Sequence, residues 1–235
     1  MRPWLLELLL FDDVAPHSAA MNMAIDESLL AAIQTPILRV YRWERPAVSF
    51  GYFEQWQPVR KLHPTRDPVR RWTGGGVVLH GQDLTYSLLI PRTINAGAPG
   101  ESYRLIHGAL CRALGEIGLA AQPAGSSSAR RSHACFENPV LHDVLVGAQK
   151  VAGAAQRRTR AGLLHQGSIQ SLELTPDFPT RFASHLAAKI KPHSFNITAA
   201  AENLAAKKYA TRAWLERLPA TIPKPAATQS PANVP

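Results

Sequence analysis

Between residues 18 and 33 the apolar side chains Met21, Ala24, Ile25, Leu29 and Ile33 recur at helical spacing. Ser18 stands ahead of them as an N-cap and Thr35-Pro36 ends the pattern, which predicts a first helix over 18–33. The apolar run before it, 4–11, is split by Glu7 and closed by Asp12 and Asp13, a pattern that fits a strand better than a cleaved secretory leader. Two β-branched and aromatic stretches, 37–43 and 47–50, flank Glu44-Arg45-Pro46 and predict two strands joined by a turn. A polar, proline-punctuated connection follows over 55–68. Stretches 77–80 and 84–90 flank Gly81-Gln82-Asp83, a hairpin signal. Over 102–118 the residues Tyr103, Ile106, Leu110, Leu114 and Ile117 keep a 3.6 period until Gly118, so a second helix is expected. After a Gly/Ser/Pro-rich loop at 122–132, 144–146 and 150–155 predict a second hairpin, with a further strand near 163–170. Helical patterns return at 176–186 and 198–218. Grouped strands with helices between them predict an α+β fold: a mixed, mainly antiparallel sheet with flanking helices. Residues 1–218 read as one domain and 219–235 as a Pro-rich, disordered tail.

Composition narrows the partners. The chain has 235 residues, 46% of them hydrophobic, and no window long and apolar enough for a spanning helix, so no membrane partner is expected. Its net charge of +9 favours acidic partners through salt-sensitive steering. The basic residues are dispersed and no recognition motif or aromatic platform accompanies them, so nucleic acid is not expected either. Two cysteines, Cys111 and Cys135, make no disulfide framework; the chain reads as reduced and cytoplasmic. No Cys/His set has metal-ligand spacing, and no metal is expected.

Three stretches carry candidate chemistry. In Arg70-Arg71-Trp72-Thr73-Gly74-Gly75-Gly76, the glycines let the backbone approach a ligand and the arginines offer anion-binding forks; His80 follows shortly after. In Gly147-Ala148-Gln149-Lys150-Val151-Ala152-Gly153-Ala154, a lysine stands among small residues on a predicted strand, where desolvation would tune it. In Ala134-Cys135-Phe136-Glu137-Asn138-Pro139, a loop cysteine follows Arg130-Arg131, surroundings that stabilise a thiolate. Each also has a plain structural reading: a flexible loop, a strand-edge lysine, an incidental cysteine.

In order along roughly 20–215, these stretches resemble the lipoate and octanoate attachment family, whose catalytic domain is shared with biotin protein ligases. MNMAIDE resembles its first helix, RRWTGGGVVLH with GQDLTYSLLIP its signature loop and hairpin, HDVLVGAQKVAGAAQRR its lysine strand and LLHQGSI its closing strand. The resemblance implies that family's fold, with residues 1–218 as the catalytic domain and an acyl chain lying between the Gly loop and the lysine strand. ACFENP ahead of GAQKVAG resembles the octanoyltransferases that hold the acyl group as a cysteine thioester. That implies Cys135 and Lys150 as catalytic residues, with Arg70, Arg71, Gly74, Gly75, Gly76, His80, Gly153 and Ala154 binding substrate. It also implies an octanoyl-acyl carrier protein donor, a lipoyl-domain acceptor and no required cofactor. One departure is the order His165-Gln166, the reverse of the family's usual order. The alternatives are an ATP- and magnesium-dependent lipoate-protein ligase, and a degenerate family member that binds without turnover.

Overall fold

The computed structural model describes residues 3–125, 140–196 and 199–217. The strands are β1 (Leu5–His17), β2 (Ile37–Trp43), β3 (Ala47–Phe50), β4 (Asp67–Arg70), β5 (Val77–His80), β6 (Leu84–Pro91), β7 (Ala121–Pro123), β8 (Val144–Val146), β9 (Gln149–Arg158), β10 (Gly162–Ile169) and β11 (Ala187–Pro192). The α-helices are α1 (Ala19–Ala32), α2 (Trp56–Leu62), α3 (Pro99–Glu116), α4 (Phe178–Leu186), α5 (Ala199–Leu204) and α6 (Arg212–Leu215), with a π-helical turn, Ala205–Tyr209, between the last two.

Eight strands form one sheet in the order β11-β1-β2-β6-β10-β9-β8-β7, and β4-β3-β5 form a second. In the large sheet β1 runs parallel to β2 and β11, and the remaining described pairings are antiparallel. The fold is therefore α+β with a mixed, mainly antiparallel sheet, as the pattern predicts.

Alternation along the central strands sorts their side chains between two layers. Leu88 and Ile90 of β6 and Leu163 of β10 join Ile106, Leu110 and Leu114 of α3 and Phe182 of α4 in the larger core. Leu89 and Leu164, one residue along each strand, pack instead with Ile25, Leu29 and Leu30 of α1. On the α1 side the small sheet also docks, through Ala47 and Val69 against Ala19, Met23 and Ala24. Ser18 caps α1 as its sequence suggests, with its side chain accepting from the Met21 N–H.

One sequence expectation is corrected: 77–80 and 84–90 do not form a hairpin. Stretches 37–43 and 47–50 are two strands joined by a turn, as expected, but β2 and β6 pair with each other in the large sheet while β3 and β5 pair in the small one. The chain thus crosses twice from one sheet to the other at a turn, which opens a space between them. The connection 55–68 holds α2 and leads into β4, and 198–218 breaks into α5, the π turn and α6. The second hairpin, β8 with β9, forms as expected. The proposed tail 219–235 lies outside the described residues.

Candidate active site

The space between the two sheets is a narrow cleft whose empty volume, open mouth included, is about 440 Å³, with little of it enclosed. One wall is the large sheet: Tyr41 and Trp43 of β2, Thr85 of β6, Gly153 to Ala155 of β9, and Gln166 to Ser168 of β10. The opposite wall is Ser49, Arg71, Gly75, Val78 and His80, and Met23 of α1 contributes an apolar side. Gly75 has φ +83°, and a Cβ there would sit 3.5 Å from Ala155 Cβ and 3.2 Å from an Arg71 nitrogen. The Gly loop and β9 therefore close on each other across the cleft.

Arg71 braces this loop. Its guanidinium donates to the carbonyls of Gly74 at 2.9 Å and Gly76 at 2.8 Å, and to Ser49 Oγ at 2.7 Å. Ser49 Oγ lies 2.6 Å from His80 Nε2, and His80 Nδ1 lies 2.7 Å from Asp83 Oδ2. Burial alone would raise the Asp83 pKa, but His80 and the hydroxyls of Ser168 and Thr85 outweigh it and hold the carboxyl at about 2. The ionised Asp83 accepts from the His80 Nδ1–H and fixes the orientation of the ring against Ser49. The His80 ring also stacks on Trp43 at 4.1 Å.

A second network fixes the loop from below. Thr73 Oγ1 donates to Gln166 Oε1 at 2.8 Å, and Gln166 Nε2 donates to Asp26 Oδ2 at 2.8 Å. Asp26 in turn pairs with Arg39 at 2.8 Å, and Arg39 also binds Asp13 and Asn22. Arg39, Asp26 and Asn22 are fully buried. Burial of an arginine this deep is tolerable only because each N–H finds an oxygen. The polar positions of MNMAIDE therefore anchor α1 to the sheet beneath the cleft.

Lys150 stands behind Gly153. Its Nζ lies 2.7 Å from Asp143 Oδ2, and both side chains are buried. A Cβ on Gly153 would meet Lys150 Cε at 2.7 Å and Nζ at 2.8 Å, so the bare backbone of Gly153 is the seat of the ammonium. Asp143 is held in turn by the Val140 N–H at 2.8 Å and the Tyr103 hydroxyl at 2.6 Å. That hydroxyl also accepts from the Ala154 N–H at 3.0 Å, tying the carboxylate to β9. Nearby His107 is pushed down to about 4, chiefly by burial, and burial with the neighbouring His107 lowers His165 well below the ordinary histidine value. The Lys150–Asp143 pair is thus bordered by neutral imidazoles. An ammonium in this position presents more than one N–H and suits an oxygen on which negative charge develops.

Of the residues named from sequence, Arg71, Gly75, His80, Gly153 and Ala154 come together in the cleft, with Lys150 directly behind it. Gly74 and Gly76 enter through the carbonyls that Arg71 holds. Arg70 does not line the cleft. It is fully buried, and its donors bind the carbonyls of Tyr52, Glu54, Trp214, Leu215 and Arg217, so it clamps α6 to the small sheet rather than offering a fork to an anion. Cys135 lies outside the described residues. His165 faces away from the cleft, donating or accepting at Gln156 and Tyr86, while Gln166 faces the cleft floor. Asp143, Tyr103, Ser49 and Asp83 carry no chemical signal in the sequence: Tyr103 reads only as part of a helical period, Asp83 only as a turn residue, and Asp143 stands unmarked inside the HDVLVGAQK stretch. No group of three or more metal-binding side chains occurs among the described residues, and none of the described helices is long and apolar enough to cross a membrane.

A two-sheet α+β domain with an apolar cleft backed by a buried lysine is a scaffold suited to holding a chain-like acid derivative by its carbonyl. The family model described as lipoyl protein ligase A/B catalytic domain matches residues 18–190, and the chain belongs to this family. Among curated proteins it is similar to octanoyltransferase LipM of Oceanobacillus iheyensis, 36% identical over 170 residues, covering 68% of this chain and 62% of that protein. It is also similar to octanoyltransferase LipM of Kyrpidia tusciae, 37% identical over 178 residues, covering 68% and 64%. The matched stretch is thus less than two thirds of the length of these relatives. Among solved structures, Ta0514, a putative lipoate protein ligase from T. acidophilum, superposes with a TM-score of 0.73 at 23% identity, covering 91% of this chain and 100% of that one. A lipoate-protein ligase A bound with ATP gives 0.72 at 22% identity, covering 90% and 99%. At these identities the two structures establish the fold.

Proposed function

We propose that this chain is an octanoyltransferase that moves an octanoyl group from acyl carrier protein to a lysine of a lipoyl domain, in protein lipoylation. The observation that carries the reading is the seat of Lys150: its ammonium rests on Gly153, beside a cleft floored by β9 and β10 and roofed by the Gly75 loop. The names of the two relatives quoted, both octanoyltransferase LipM at 36–37% identity, support it.

In this reading the Cys135 thiolate attacks the thioester carbon of the donor. The new bond is Cys135 sulfur to acyl carbon, the bond broken is acyl carbon to carrier sulfur, and the departing carrier thiolate takes up a proton. In the second step the acceptor lysine amine attacks the same carbon, the bond from acyl carbon to Cys135 sulfur breaks, an amide forms with one amine proton released to solvent, and Cys135 leaves as thiolate. Lys150 donates to the carbonyl oxygen in both steps, where charge accumulates. Asp143 and Tyr103 keep its ammonium aimed. Burial of seven methylene-sized carbons contributes on the order of 5 kcal/mol, enough to favour a medium chain over acetyl. The net charge of +9 suits an acidic carrier. The reaction needs no cofactor, and its free thiol calls for a reducing compartment such as the cytoplasm. Incubation with octanoyl carrier protein should load one octanoyl group on wild type and none on Cys135→Ala; equal transfer by that variant would refute the mechanism.

A further inference from the structure

On β9 the cleft-facing series Gly153, Ala155 continues to Arg157, paired across the strands with Leu164 as Ala155 is with Gln166. There the chemistry changes from small and apolar to cationic. Arg157 lies over Trp72 and Tyr52, its Cζ 4.7 and 4.9 Å from the ring centroids. Lys208, from the π turn, lies over Trp72 and Trp214 at 4.8 and 4.5 Å. Arg217 lies over Tyr52 and Trp214 at 4.7 and 5.6 Å. Each of three rings therefore carries two cations, and three cations meet around them. Of the three, only Lys208 has a carboxylate partner among the described residues, Glu27. Arg157 Nε is buried without a hydrogen-bond partner, although its Nη1 donates to the Trp72 carbonyl at 3.1 Å.

Three like charges held together on π faces, with one buried N–H unanswered, form a site that an anion completes. Its place selects the anion. Four residues of extended strand separate Gly153, where Lys150 sits, from Arg157, roughly 13 Å. In an acyl-adenylate the phosphorus is bonded to the acyl oxygen and would lie at Lys150. In a carrier thioester a pantetheine arm separates the acyl sulfur from the phosphate, and a spacer of this kind is what the distance asks for.

We propose that Arg157, Lys208 and Arg217 form a phosphate clamp for the pantetheine arm of the acyl donor. The assignment rests on the carrier-donor reading given above. Calorimetric titration of the full chain with 4′-phosphopantetheine, pantetheine and AMP tests it without requiring any acyl transfer, so a failure of turnover and a failure of the clamp are separate results. Phosphopantetheine should bind at least tenfold more tightly than pantetheine, and AMP more weakly than phosphopantetheine. Arg217→Gln, on an exposed side chain, and Arg157→Gln should each shrink the phosphopantetheine preference severalfold. Lys189→Gln, an equal loss of charge on β11, should leave the preference intact. Equal binding of phosphopantetheine and pantetheine, or a preference that survives both arginine substitutions, would overturn the clamp, and tighter binding of AMP would assign it to a nucleotide instead.

Discussion

Gly153→Ala separates the seat of Lys150 from the stability of the fold. A Cβ at position 153 would stand 2.7 Å from Lys150 Cε and 2.8 Å from Nζ, against 3.4 Å for ordinary contact, so these atoms must give way by 0.6 to 0.7 Å. What yields is the end of a flexible side chain and not backbone. The cost to stability should therefore stay within about 1 kcal/mol, or about 4 °C in Tm for a chain of this size. The cost to chemistry is larger, because misplacing a charge by about 1 Å at a reacting centre costs on the order of 100-fold. Octanoyl loading from octanoyl carrier protein, followed by intact mass spectrometry, should slow by about 10- to 100-fold while the melting curve barely moves. Loading at the wild-type rate would refute the seating argument. A Tm loss well beyond that range would show that Gly153 serves packing instead.

Other substitutions test the surrounding network. Asp143→Ala leaves the Lys150 ammonium buried without its carboxylate and should cost about 3–5 kcal/mol in urea unfolding. Lys150→Met combined with Asp143→Asn should recover much of that stability and none of the acyl loading, which divides the structural from the chemical role of the pair. Arg70→Met should destabilise by about 3 kcal/mol or more in urea unfolding through its orphaned carbonyls; a loss below about 1 kcal/mol would refute its role in holding α6 to the small sheet. His107, buried and lowered to about 4, contributes stability that is complete above the unfolded value near 6.5. That stability falls as pH drops from 6.5 toward 4, by about 3 kcal/mol in total. His107→Phe should flatten the plot of Tm against pH in that window, and an unchanged slope would exclude the assignment.

Periodicity made α1, α3 and the β8–β9 hairpin legible, because their partners are close in sequence and one face of each is apolar. Partner choice between β2, β3, β5 and β6 was not legible: each short apolar run satisfies the same alternation, and only tertiary packing decides which sheet receives it. The small-residue run around Gly153 was readable as a place of close approach. The reason for it, the ammonium of Lys150 on Asp143, depends on a contact between β9 and the residues just before β8, which spacing alone does not reveal. Arg70 and Arg71 looked equivalent in sequence, yet alternation at the end of β4 sends one into carbonyls of α6 and the other to the Gly loop. The order His165-Gln166 acquires a physical meaning only in the sheet, where the glutamine faces Thr73 and Asp26 and the histidine faces Tyr86. The segment that carries Cys135 lies outside the described residues, so the nucleophile rests on the resemblance and on its thiol chemistry.

A covalent adduct on Cys135, formed with no nucleotide present, separates acyl transfer from ligation most directly. Wild-type protein incubated with octanoyl carrier protein, in the absence of ATP and magnesium, should give a single octanoyl adduct on the peptide containing Cys135, lost on addition of an unmodified lipoyl domain as that domain gains the same mass. Absence of the adduct, with acylation of the lipoyl domain only from free acid plus ATP and magnesium, would contradict the account and make the chain a ligase.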